Sequence, residues 1–206
     1  SDLSRNDAEK IVSDTLNKCD DGELYLEDSK YETIILDDNK IKDSSYSSDL
    51  GFGFRAISDD IVAYSHSNEI SKNSLKQSSE SLKSTLKTAR GNYNHSIPKS
   101  NKKYYENINP IEQKSLNEKI EILNKVNNYL RSKDSNVKQV TANFSGEQKS
   151  IEIIRSGGEI LSDVRPLIRF NVSVMLDKNG RKESGVYGIG GRKSYDSYLK
   201  EDNWKN

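Results

Sequence analysis

The sequence predicts an α+β fold made of two helix-plus-antiparallel-meander units joined by a polar linker. Three observations predict it. Several runs alternate apolar and polar residues between turn residues, the pattern of half-buried antiparallel strands. Three other segments repeat apolar residues at helical spacing. Ile is frequent and Ala rare, 18 against 5, a balance that favours strands over Ala-rich helices.

The elements follow in order. Ala8, Ile11, Val12, Leu16 and Cys19 share one helical face, which predicts a helix over about 5–19. Ser4 is placed to cap it, and Asp7 adds a carboxylate to its first turn. Asp20-Asp21-Gly22 is expected to end it. Residues 23–67 read as a meander. Leu24 and Leu26 alternate with Tyr25 and Glu27, and Tyr31 to Leu36 is β-rich. Asp37 to Lys40 turns the chain, and Ile41 to Tyr46 returns as a hairpin partner. Leu50, Phe52, Phe54 and Ala56 then alternate with Gly51, Gly53, Arg55 and Ile57. Ser58-Asp59-Asp60 turns into a strand over 61–65. Leu75, Leu82, Leu86 and Ala89 mark a second helix over about 71–89.

Residues 91–112 interrupt the periodicity. They hold Pro98 and Pro110, two of the three prolines, and read as a linker. Ser115 and Glu118 form a capping box that opens a helix over 115–132, with Leu116, Ile120, Leu123 and Leu130 at helical spacing. A second meander runs through Val140-Ala142-Phe144, Ile151-Ile153, a Ser156-Gly157-Gly158 turn, and the unbroken alternation Ile168, Phe170, Val172, Val174, Leu176. Asn179-Gly180 is the strongest hairpin dipeptide in the chain. The last strand, about 181–188, leads to Gly190-Gly191-Arg192. Residues 193–206 form a polar tail containing Tyr195, Tyr198 and Trp204.

Composition bounds the function. The chain has 206 residues, with 32 basic and 32 acidic side chains and a formal net charge of zero. A dedicated nucleic-acid binder needs a basic surplus to release counterions, so no nucleic-acid partner is expected. The Lys-rich stretch 91–133, with Tyr93, Tyr104 and Tyr105, offers at most a local patch; a solvated helix face and linker is the more ordinary reading. No apolar run approaches the length of a membrane span, so no membrane contact is expected. The first residues lack a basic n-region and an apolar h-region, so no secretory signal is expected. A single cysteine, Cys19, leaves no intramolecular disulfide and points to a reducing, cytoplasmic setting.

Few residues suggest chemistry. Gly51-Phe52-Gly53-Phe54-Arg55-Ala56 fits a dinucleotide-loop string, but strand alternation runs straight through it. It reads as a strand whose glycines admit a close neighbour. The acidic turns 37–43 and 177–180 lack the spacing of a calcium loop. His66 lies between two serines without an evident orienting group, and Cys19 on the apolar stripe reads as a packed thiol. Arg165, Arg169, Gly190, Gly191 and Arg192 are the candidate substrate-binding set, with the three arginines carrying its charge. They suit carboxylate recognition and equally cross-strand ion pairs. No catalytic residue is assigned.

Ordered strings carry a resemblance. Gly22-Glu23-Leu24-Tyr25-Leu26, Ile41-Lys42-Asp43 and Gly51 to Ser58 resemble the opening of the TldD/PmbA metalloprotease family. Val140-Thr141-Ala142, Ser145-Gly146, Asp163 to Leu167, Val172-Ser173-Val174, Arg181 to Gly185 and Gly190-Gly191-Arg192 continue it over about residues 20–200, closest to TldD. Ile189 interrupts the glycine run that the family carries there. The resemblance implies a first domain over 1–90, a linker over 91–112 and a central domain over 113–206 that is incomplete at its C-terminal end. It implies a heterodimer with a TldE/PmbA-like partner subunit, a cavity for unfolded peptide, and capture of that peptide as an added strand. The family's zinc motif, His-Glu-x-x-x-His with a later Cys, does not occur here. Zinc is therefore expected in a C-terminal domain absent from this chain, with no metal ligand or cofactor on the chain itself. The chain is expected to form cavity walls and subunit interface and to be inactive alone. The alternative is a stand-alone peptide-binding module that adds a strand without cleaving.

Overall fold

The computed structural model describes residues 2–87, 91 and 102–205. The fold is α+β. Helix α1 (Arg5–Leu16) precedes strands β1 (Asp21–Asp37), β2 (Lys40–Ser58) and β3 (Ile61–Ser67) and helix α2 (Lys72–Thr85). A 3₁₀ turn at Ile111–Gln113 leads to helix α3 (Leu116–Lys133). Strands β4 (Val137–Arg155), β5 (Ile160–Lys178) and β6 (Arg181–Gly191) follow, then the short helices α4 (Tyr195–Tyr198) and α5 (Glu201–Lys205).

The strands form one six-stranded sheet in the order β3-β2-β1-β4-β5-β6. Pairing is antiparallel for β2 with β3 and for β5 with β6. It is antiparallel for β1 with β4 as well, because Gly22 near the start of β1 accepts from Ser156 and Asp38 past its end donates to Val140. Turn chemistry closes the hairpins. Asp38 and Asn39 both take positive φ, as do Asn179 and Gly180, the backbone of two-residue turns that follow the sheet's twist.

The chain divides into two compact units that are not contiguous in sequence. One comprises residues 1–29, 49–103 and 150–163, the other 30–48, 104–149 and 164–206. Strands β1, β2, β4 and β5 each give part of their length to either unit, because they are 17 to 19 residues long. In the first unit, Leu24, Phe52, Phe54, Ala56, Ala63 and Ile154 of the sheet meet Ala8, Val12 and Leu16 of α1 and Leu75 and Leu82 of α2. In the second, Ile34, Leu36, Ala142, Phe144, Ile168, Phe170 and Val172 meet Leu123 and Val126 of α3. One face of the sheet is thus covered by helices in each unit, as the alternation requires.

Helix starts agree with their caps. Ser4 accepts from the Asp7 amide, and Ser115 and Glu118 cap α3 reciprocally. Ser71 and Ser74 cap α2 in the same way. Other expectations are corrected. Helix α1 ends at Leu16 and α2 at Thr85, and Ala89, expected on the α2 stripe, lies outside the described residues. The alternating run 23–27 and the β-rich run 31–36 are parts of one continuous strand, β1. On α3, Leu123 is buried and Ile120 and Leu130 pack half-buried against the second core as expected, but Lys119, Val126 and Asn127 are buried beside them and Leu116 is 45% exposed. The polar tail is not a tail: Tyr195, Leu199 and Trp204 are buried in the second core.

Candidate functional site

The five residues singled out by sequence lie in the second unit, at one end of the β5–β6 pair. Parity along β5 puts Ile168, Phe170 and Val172 on the core face and Arg165, Leu167, Arg169 and Asn171 on the opposite face. Arg165 and Arg169 are exposed accordingly. Arg169 stands directly across from Gly190, and Asn171 from Gly188. The Arg169 Nε donates to Asn171 Oδ1 at 2.8 Å. Its guanidinium leans over β6, where a Cβ on Gly188 would lie 2.7 Å from Nη2. Bare backbone at Gly188 is what lets the arginine lie there.

The other two glycines serve close packing. A Cβ on Gly190 would meet the Ile168 carbonyl oxygen and the Arg169 Cα, and one on Gly191 would meet the Tyr198 hydroxyl. Arg192 leaves the strand and turns back: Nη1 donates to the Pro166 carbonyl at 3.4 Å. Its guanidinium sits 5.0 Å over the Tyr105 ring, a cation–π arrangement. The structure therefore brings Arg169 and Arg192 to the same end of one hairpin, each held by neutral groups. Arg165 lies four residues before Arg169 on its face, roughly 13 Å along the strand.

Sequence reasoning missed a polar cluster in the same unit. Lys119 of α3 is 1% exposed. Its Nζ donates to Glu32 Oε2 and to the Ile111 carbonyl, both at 2.6 Å. Tyr195 donates to the same Glu32 oxygen at 3.1 Å. Burial pushes the Tyr195 phenol far above its ordinary range, and the Glu32 charge adds to it. The one signal was a lysine on the core-facing stripe of an amphipathic helix, which requires a buried partner. Lys119 is thus withdrawn from the basic patch considered over 91–133. Tyr93 of that patch lies outside the described residues.

The first unit holds a groove of about 230 Å³ on the face away from its helices. Gly51 and Gly53 form its floor, with Tyr25 and Glu27 on one side and Tyr64 and His66 on the other. A Cβ at Gly53 would lie 2.7 Å from the Tyr64 hydroxyl, the close neighbour that the strand reading of this string required. His66 is exposed and stacks on Tyr64 with ring centroids 5.9 Å apart. The Ser65 hydroxyl goes to Ser78 and that of Ser67 accepts from the Glu69 amide. His95 lies outside the described residues. Cys19 is buried, its thiol pushed up first by burial and then by Asp20. Among the described residues no three His, Cys, Asp or Glu side chains are grouped to hold a metal ion. They do not fit a zinc site.

Two family models match, in order. Residues 22–92 match the PmbA/TldA metallopeptidase domain 1, and residues 109–206 match the PmbA/TldA metallopeptidase central domain. The chain belongs to the PmbA/TldD metallopeptidase family. A metalloprotease TldD homolog of Buchnera aphidicola is 34% identical over 184 residues, which is 89% of this chain and 38% of that protein. The chain spans well under half the length of this relative. TldE from Thermococcus kodakarensis shares the fold at 18% identity and a TM-score of 0.70, over 96% of this chain and 44% of that one. A candidate DNA-gyrase modulator from Thermotoga maritima shares it at 12% identity and a TM-score of 0.73, over 90% and 42%. Within the family's layout, all five candidate site residues fall in the central-domain match and the glycine-floored groove in domain 1. No helix among the described residues is long and apolar enough to cross a membrane.

Proposed function

We propose that this chain is the non-catalytic portion of a TldD-type metallopeptidase subunit. It forms walls of a cavity for unfolded peptide and part of the interface with a TldE/PmbA-like partner, in the cytoplasm. One observation carries the reading: two successive domains of one metallopeptidase family match, while the described residues gather no donor set for a metal. Zinc, which would polarise the attacking water, is supplied by a part of the protein beyond this chain. In this reading residues 1–90 and 113–206 are the two domains and 91–112 the linker, and Arg165, Arg169, Gly190, Gly191 and Arg192 lie on the substrate side.

The test is co-purification. The tagged chain, expressed with an untagged TldE-type protein from the same genome, is expected to retain it through size exclusion. Separate elution of the two would remove the interface from the proposal. A second reading, peptide capture by strand addition without cleavage, draws on the edge positions of β3 and β6 in the sheet. Both readings predict peptide binding; only the first predicts a stable partner.

A further inference from the structure

We propose that Arg169 and Arg192 form a carboxylate-binding site at the end of the β5–β6 hairpin. It takes either the C-terminal carboxylate of a peptide or an acidic side chain. The inference deepens the peptide reading and rests on it only for calling the ligand a peptide.

The carrying observation is a contrast among arginines. Arg5, Arg55, Arg131, Arg155 and Arg181 each face a carboxylate: Glu152, Glu23, Asp38, Asp21 and Glu183 respectively. Arg169 and Arg192 do not pair with one among the described residues. Their guanidiniums are fixed by an amide oxygen, a backbone carbonyl, a tyrosine ring and a bare glycine. Those neighbours orient the charge without neutralising it. A guanidinium has five donors, and each of these two has one hydrogen bond described above. The remaining donors and the full positive charge stay available to an anion. The planar fork of a guanidinium matches the two oxygens of a carboxylate, and pre-orientation lowers the ordering cost of binding.

The placement favours two arginines acting together. Arg169 stands opposite Gly190, two residues before Arg192, and Arg192 reaches back to Pro166, three residues before Arg169. Exposed sheet lies beside them, with Val186 at 85% exposure on the face that Gly188 and Gly190 share. A peptide ending there has room to lie along β6.

The experiment follows the arginine Nε–Hε NMR signals of the whole 206-residue chain. The probes are acetyl-trialanine with a free carboxylate, the same peptide amidated, an amidated acetyl-Ala-Glu-Ala, and inorganic phosphate. Signals are assigned with Arg169→Gln and Arg192→Gln. The expected result is a saturable shift of both signals with either carboxylate-bearing peptide, binding at least tenfold tighter than the amidated trialanine. Each Gln variant should weaken it roughly tenfold, as loss of a charge-assisted pair implies. Which carboxylate peptide binds tighter identifies the source of the group. Equal affinity for acid and amide, or undiminished binding by the double variant, overturns the carboxylate site while leaving the peptide reading intact. Response to phosphate alone also overturns it. Binding of no peptide, acid or amide, overturns both.

Discussion

Lys119 and Glu32, 87 positions apart, form a buried ion pair at 2.6 Å between Nζ and Oε2, with 1% and 12% of their side chains exposed. The pair joins α3 to β1. Through Tyr195, which donates to the same oxygen, it also fastens the segment after β6. A second acceptor, the Ile111 carbonyl, takes another Lys119 proton. The cluster is therefore well satisfied, and breaking one member strands a charge.

Removing one charge is the costly change. Lys119→Met leaves Glu32 buried beside Tyr195 alone and is expected to destabilise the chain by about 3–5 kcal/mol. The double variant Lys119→Met with Glu32→Leu is expected to recover most of that loss. Urea midpoints at constant slope measure both.

Tyr195 also makes stability fall at alkaline pH. Its folded pKa is raised by burial first and by the Glu32 charge second. Its contribution is thus complete below the unfolded value of about 10 and declines above it, by up to about 1.4 kcal/mol per pH unit. Tyr195→Phe is expected to flatten that alkaline slope in denaturation curves measured above pH 10, although it loses the hydrogen bond to Glu32.

The acid limb has the opposite sign. Asp7, Asp37, Glu118, Asp134 and Glu201 are held below their ordinary values. Asp7 owes this first to Lys72, Asp37 to Gln139, Glu118 to Ser115, Asp134 to the Asn136 amide and Glu201 to Lys205. Their contribution is present above the unfolded carboxylate values near 4 and is lost as pH falls through the folded ones. Ser115→Ala removes the α3 cap and is expected to cost about 1 kcal/mol at neutral pH. Part of that cost should vanish once Glu118 is protonated.

Two glycine substitutions should separate by what a new Cβ meets. At Gly190 the obstacle is backbone, the Ile168 carbonyl and the Arg169 Cα, so Gly190→Ala must shift paired strands and is expected to cost about 2 kcal/mol or more. At Gly53 it is the far end of the Tyr64 side chain, which swings away. Gly53→Ala should therefore cost under about 1 kcal/mol. Thermal denaturation of the two proteins side by side checks the order.

Trp204 tests the closing segment. Its ring lies edge-on to Tyr129, centroids 5.6 Å apart, and its Nε1 donates to the Leu199 carbonyl. Trp204→Ala is expected to cost about 3 kcal/mol and to expose Tyr129, read as a change in near-ultraviolet circular dichroism.

What the sequence revealed depended on whether the signal was local. Strand β5 was legible because one face is apolar from Ile168 to Val172 and Asn179-Gly180 has the positive φ values its turn needs. The α3 start was legible because Ser115 and Glu118 are three residues apart. The continuity of β1 was not legible because Glu27, Asp28, Ser29 and Lys30 interrupt the alternation between Leu26 and Ile34. The closing helices were hidden because Tyr195, Leu199 and Trp204 are sparse in a polar segment. For the Lys119–Glu32 pair the only local trace was a lysine on the core-facing side of α3; Glu32, 87 positions away, had none. The arginines were found by residue type and their proximity to glycines, but only the structure shows that neutral groups hold Arg169 and Arg192.

If, as proposed, this chain contributes substrate-facing walls while another part of the protein brings the metal and cuts, the chain alone binds peptide without hydrolysing it. The most direct measurement incubates the purified chain with an unstructured fluorogenic peptide and zinc, with and without chelator. Binding without cleavage is expected in both. Chelator-sensitive hydrolysis by this chain alone would contradict it.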